Sequence, residues 1–207
     1  MSSKVIQEQF GQEIIDAMSR FAKRDIKDVA SLHADEFSHV ANPDLRNALA
    51  ETLYGTRWLY KLGLALLANN HEQFAHVRAQ IIDYASVAEA LLADLIAQAY
   101  RKGKLHGTQW QKKYTRSNTP LTWNPVDPDG TVSGTTMEWR IMVAHESGII
   151  DSNLTSKLNG IRTRRNTVHL TAKVMAGVSY YAGLAKRSHE AMLETIQQTK
   201  AWVVANP

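Results

Sequence analysis

The segment Asp151–Leu170, DSNLTSKLNGIRTRRNTVHL, gathers the side chains best suited to chemistry on a phosphate. Asp151 or Ser152 suits a helix N-cap, and Leu154, Leu158, Ile161 and Val168 supply a buried side. On an ideal helix at about 100° per residue, Arg162, Arg165, Asn166 and His169 fall within about 100° of one another, while Arg164 points nearly the opposite way. The expected ridge carries two guanidinium forks that can hold phosphate oxygens, an amide, and an imidazole whose ordinary pKa lets it move a proton near neutrality. The same residues also read as a solvated or interface-bound polar face on which His169 is hydrogen-bonded and inert.

A second set interleaves cations with rings: Lys104, His106, Trp110, Lys112, Lys113, Tyr114, Arg116 and then Trp123. Bases can stack on Trp and Tyr while the cations follow a phosphodiester backbone, so Lys104, Trp110, Lys112, Lys113, Tyr114 and Arg116 are candidate RNA-binding residues. The alternative is that Trp110 and Trp123 pin this stretch onto the body of the protein with the lysines facing water. Charge placement favours an anionic partner. Residues 101–117 hold six cations and residues 161–173 four, neither with an acid, so the rest of a chain of net charge +4 carries −6.

Other chemistries find no support. There are no cysteines, which removes disulfides, thiolate zinc, iron–sulfur clusters and a cysteine nucleophile. The eight histidines include no HExxH pair; His71 and His76 diverge on a helix, and His145-Glu146 point to different sides. Asp35-Glu36 reads as a surface pair. No Gly-rich phosphate loop, GxSxG elbow or dinucleotide fingerprint occurs, so no metal and no cofactor is expected.

Helices must position these residues. Apolar positions from Ile81 to Ala99 recur at three-and-four spacing and predict a helix over about 71–101. Asn42-Pro43 is an N-cap followed by Pro at the first position, opening a helix that runs on through Leu45, Leu49, Leu53, Leu59, Leu62 and Leu66 to about 69–70. Val5, Ile6, Phe10, Ile14, Met18 and Phe21 predict one or two amphipathic helices in the first thirty residues. A long helix is expected over 173–204. The exception is 103–135, rich in Pro and Gly, where Asp127-Pro128-Asp129-Gly130 is a turn signal and a short hairpin with Leu121, Trp123 and Val132 on its arms is expected. The expected fold is therefore all-α, a helical bundle with one long non-helical insertion at about 103–135. The length of 207 residues suits one generous domain, divided as a helical extension over 1–40 and a compact unit over 41–207. The N-terminus has no apolar signal core. The weakly polar run Val174–Ala185 is far shorter than the roughly 20 residues of a membrane span, so a soluble, cytoplasmic protein is expected.

The string Arg164-Arg165-Asn166-Thr167-Val168-His169-Leu170, late in a helical chain, resembles the signature of the HEPN superfamily. That motif is an arginine, often followed by a polar residue such as asparagine, then a histidine after four to six intervening residues. The context is similar too: Glu138 to Gly148 as a helix, then Ile149-Ile150-Asp151, and upstream Tyr84-Ala85-Ser86-Val87-Ala88-Glu89-Ala90-Leu91-Leu92, which looks like the first core helix of such domains. The resemblance covers roughly residues 43–204. Arg164 has four residues before His169 and Arg162 has six; Arg165 directly precedes Asn166 but has only three. Helix geometry favours Arg162 and Arg165, spacing favours Arg164 and Arg162, and all three stand as candidates. The resemblance implies a metal-independent endoribonuclease acting as a homodimer, with His169 as general base or acid, an arginine stabilising the phosphorane and Asn166 orienting one or the other. It also permits a role as a toxin or anti-phage defence component, with an antitoxin or defence-system protein as partner. Many such domains are instead non-catalytic modules that bind RNA, a nucleotide or a protein.

Overall fold

A computed structural model describes residues 11–105, 110, 121–167, 170–177 and 179–207, and these contain helices and no strand. The fold is all-α. In chain order the helices are α1 (Gln12–Lys23), a short turn Val29–Ser31 running into a π-helical turn Leu32–Glu36, α2 (Pro43–Ala65), α3 (Asn70–Arg101), α4 (Pro128–Ser133), α5 (Met137–Glu146), α6 (Ser152–Asn166), α7 (Leu170–Ala176) and α8 (Ala182–Ala205). No helix among the described residues is long and apolar enough to cross a membrane.

The axis of the bundle is α3, about 48 Å long at 1.5 Å per residue. Its stripe is buried on more than one face because α2, α4, α5, α6 and α8 all pack against it. One core joins Ala88, Leu92, Leu95 and Ile96 of α3 to Ile141 of α5, Leu154, Leu158 and Ile161 of α6, and Trp202 of α8. A second joins Tyr84, Val87 and Leu91 to Leu49 and Leu53 of α2, Met192 and Ile196 of α8, and Leu32, Phe37 and Val40 ahead of α2. Gln98 Nε2 ties that leading segment down by donating to His39 O at 3.0 Å and to Asp94 Oδ2 at 2.6 Å.

Helix ends follow local chemistry. Asn42 Oδ1 accepts from the amides of Asp44 and Leu45 at 2.9 and 3.1 Å, with Pro43 in the first turn. The helix it opens stops at Ala65, earlier than its leucine spacing predicts, because Leu67 turns to φ +51°. Gly103, at φ +63°, closes α3 by letting Lys104 N donate back to Ala99 O at 2.8 Å.

Three expectations are corrected. The Asp127-Pro128-Asp129-Gly130 turn is the start of α4: Asp127 Oδ1 accepts from Gly130 N at 2.8 Å and Pro128 fills the first turn. Asp-Pro is equally a turn opener and an N-cap pair, and burial of Val132 against α3 decides for the helix. No hairpin forms among the described residues, and 128–133 is helical within the expected non-helical insertion. The single helix over 173–204 is two, α7 and α8, broken where Gly177 takes φ +60°. The helix expected to carry residues 151–170 ends at Asn166. Thr167 turns its hydroxyl back onto Arg164 O at 2.7 Å while Thr167 O accepts from the buried Tyr180 hydroxyl at 3.0 Å. In α1 only Ala22 is buried, Met18 and Phe21 are half-buried and Ile14 is exposed; Val5, Ile6 and Phe10 lie outside the described residues.

Two histidines are packed uncharged. His39 Nε2 lies 2.9 Å from Thr199 Oγ1, which already donates to Thr195 O at 2.7 Å, so His39 donates. Burial, then Lys200 and Arg46, pulls His39 down to about 4, and burial with Arg57 pulls His189 down to about 4. In the unfolded chain both titrate near 6.5. Protons therefore bind the unfolded chain preferentially, and the stability present above that value is lost as pH falls from about 6.5 towards 4. Thermal melts should show a fall in Tm between pH of about 7.5 and 5 that is smaller in the His39→Gln/His189→Gln double variant. An equal fall would show that neither imidazole contributes.

Candidate arginine–glutamate site

The site forms where the start of α5 and the end of α6 meet the middle of α3. Thr136 Oγ1 caps α5 by accepting from Trp139 N at 3.2 Å, which places Thr136, Met137 and Glu138 at the positive end of that helix. At the other end of the site, α6 brings in its last turn. Glu89 is the anchor. Its carboxylate lies between Arg165 Nη2, 3.2 Å from Oε2, and Arg140 Nη1, 3.5 Å from Oε1. Arg140 is buried, and its remaining donors reach Thr135 Oγ1 at 3.0 Å and the carbonyls of Val132, Ser133 and Thr135 at 3.1–3.2 Å. The Val132 and Ser133 carbonyls end α4, so one guanidinium caps that helix and fixes Glu89 together. Arg162 is held from both sides, by Glu138 Oε2 at 3.3 Å and by Asn159 Oδ1 at 3.3 Å.

A cavity of about 260 Å³ opens between these groups, lined by Glu89, Thr136, Met137, Glu138, Arg162, Arg165 and Asn166. The structure thus brings together Arg162, Arg165 and Asn166. Arg164 is not among the lining residues; it folds back along its own helix towards Gly160. His169 lies outside the described residues. The wheel that set it on the ridge assumed a helix continuing past Asn166, which α6 does not do.

The cavity suits a small oxyanion. Arg162 and Arg165 each hold a carboxylate through one terminal nitrogen, and a guanidinium has five N–H donors. Neighbouring Asn166 is exposed and adds an amide.

The second island is divided. Lys104 is exposed, whereas Lys112, Lys113, Tyr114 and Arg116 lie outside the described residues. Trp110 packs on the main core; its backbone oxygen accepts from Trp139 Nε1 at 2.9 Å and its amide donates to Glu146 at 3.2 Å. Trp123 stacks flat on Tyr100, with centroids 4.2 Å apart. Both rings pack against the body of the protein and remain half-buried. Of the cations nearby, Arg101 pairs with Asp129 and Lys102 donates to Asn206 O. His145 Nδ1 sits 3.3 Å from Ile150 O in the turn between α5 and α6.

Sequence reasoning missed Glu89, Arg140 and Glu138 as site residues. The signal for the first two was present: a lone carboxylate inside Val87-Ala88-Glu89-Ala90-Leu91-Leu92, and a lone guanidinium inside Trp139-Arg140-Ile141-Met142-Val143, each needing a partner when buried.

Glu89→Ala removes the carboxylate that two guanidiniums share and should cost about 2–3 kcal/mol in urea unfolding. Glu138→Ala removes a half-exposed partner and should change stability by less than about 0.5 kcal/mol. Equal costs would show that Glu89 is not the anchor.

Compared with family models, curated proteins and solved structures, the chain has no match.

Proposed function

We propose that this chain is a metal-independent endoribonuclease of HEPN type, working as a homodimer. The observation that supports this most is the convergence of Arg162, Arg165 and Asn166 on one cavity, with Arg165 fixed by a carboxylate that Arg140 holds in turn. In this reading a phosphodiester enters the cavity and exchanges Glu138 for a phosphate oxygen at Arg162. Arg165 and Asn166 bind the other oxygens. The ribose 2′-oxygen attacks phosphorus as His169, three residues past the end of α6, takes its proton; the 5′-oxygen leaves with a proton, and a 2′,3′-cyclic phosphate remains. Two guanidiniums neutralise the charge that develops on the phosphorane. The homodimer, a cytoplasmic setting and an antitoxin or anti-phage defence partner belong to the same reading and rest on the resemblance of the Arg-Asn…His string.

One observation favours a second reading, a non-catalytic module that binds RNA, a nucleotide or a partner protein. Both cavity arginines are already paired with carboxylates, which suits a charged surface that recognises a partner more than one whose guanidiniums stand ready for a reacting phosphate.

Incubation of wild type and His169→Ala with a labelled structured RNA in EDTA separates the two. Cleavage by wild type alone, leaving cyclic-phosphate ends, is expected; no cleavage by wild type overturns the nuclease, and RNA binding that survives then supports the module. In either case the arginines should carry affinity. Arg162→Glu should weaken RNA binding by about tenfold or more, and Glu138→Gln, which frees Arg162, should strengthen it a few-fold. Unchanged affinity in both would remove the cavity from RNA recognition.

A further inference from the structure

A larger cavity lies away from the arginine–glutamate site, enclosed by α2, the first half of α3 and the start of α8. Its volume is about 450 Å³, within the range of small-molecule sites. Its walls are mostly apolar, and its charged groups are of one sign. Arg57 and Lys186 line it, with His76 and His189, and no carboxylate does. The nearest acid to Lys186 is Glu190 at 3.9 Å, on the exposed side of α8 and outside the cavity.

Two polar side chains there have hydrogen-bonding capacity that the protein does not use. Gln80 is 4% exposed and lines the cavity, yet its side-chain amide makes no hydrogen bond among the described residues. The amide faces the cavity with its donors and acceptor open to a ligand, and an apolar residue of the same shape would fit this core as well. His76 Nδ1 is likewise buried without a partner, its ring lying against Gly63, where a Cβ would come within 3.3 Å of it. The cationic end is pre-set. Arg57 Nη1 donates to His189 Nε2 at 3.0 Å, and His189 tilts against Tyr84 with centroids 5.1 Å apart. Burial holds His189 uncharged and so able to accept, which aims the guanidinium and sets an imidazole ring beside it.

We propose that this cavity binds a small organic anion with a planar, largely apolar body, its oxyanion head held by Arg57 and Lys186 and its polar edge hydrogen-bonded to the amide of Gln80. A carboxylate and a phosphomonoester share this chemistry. The site is separate from the arginine–glutamate cavity and stands whether or not the chain cleaves RNA.

Isothermal titration of the full chain tests it with two anions, indole-3-acetate and AMP, each beside its uncharged counterpart, indole-3-acetamide and adenosine. One anion should bind one-to-one with Kd below about 1 mM, its uncharged counterpart about tenfold more weakly. The stronger anion identifies the head group as carboxylate or phosphate. Lys186→Glu, on an exposed side chain, and Ala182→Trp, which fills the mouth from the exposed start of α8, should each weaken binding about tenfold. Gln80→Leu should abolish binding while melting at or above the wild-type temperature, an outcome a merely structural glutamine would not give. His169→Ala should bind as wild type does, so failure of the nuclease leaves this result intact. Binding of neither anion below about 1 mM, or binding unchanged in both Lys186→Glu and Ala182→Trp, overturns the proposal.

Discussion

Glu89 between Arg140 and Arg165 is the contact on which the meeting of α3, α5 and α6 depends. It sits midway along the central helix, on the face where α5 and α6 cross, and satisfies a guanidinium from each. Arg140 extends the link to the last carbonyls of α4, so four helices meet in one chain of charge-assisted hydrogen bonds. Such bonds are directional, whereas the Ile141, Leu154, Leu158 and Ile161 packing beneath them is not. The apolar layer holds the helices together; the ionic chain sets the rotation of α6 and thereby turns Arg165 and Asn166 into a cavity.

The long α3 serves two sites that share no side chain. Its first half supplies Gln80 and Tyr84 to the larger cavity; its second supplies Glu89 to the smaller. Between them, Ala85 and Ala88 are fully buried and let neighbouring helices approach closely. The two cavities differ in kind. The smaller balances carboxylates against guanidiniums. The larger has cations and imidazoles but no carboxylate, and the Gln80 amide on its wall has no hydrogen-bond partner among the described residues.

Much of the fold was legible in local sequence. The 71–101 stripe, the Asn42-Pro43 start and the Asp151 cap are each fixed within a few residues by periodicity and capping chemistry, and each stands as read. The departures come where one local signal serves two structures. Asp127-Pro128 opens a turn or a helix with the same hydrogen bond from Asp127. Gly177 can be accommodated in a helix, at a cost, or can break one by taking positive φ. The Trp110 and Trp123 rings, spaced among lysines, look alike whether they stack on bases or on Tyr100 and the core.

The sequence by itself determined that the chain is helical, where most of its long helices begin, and that its cations cluster in two stretches. These depend on backbone capping and on a 3.6-residue repeat, both readable within one element. Tertiary structure alone decided that Arg165 meets Glu89, 76 residues away, and that Arg57 meets His189, 132 residues away. It also decided that α6 stops at Asn166, because the carbonyl of Thr167 is claimed by Tyr180 rather than by a further helical turn. Each of these rests on a partner that packing delivers from a distant part of the chain, and no local spacing encodes which one arrives.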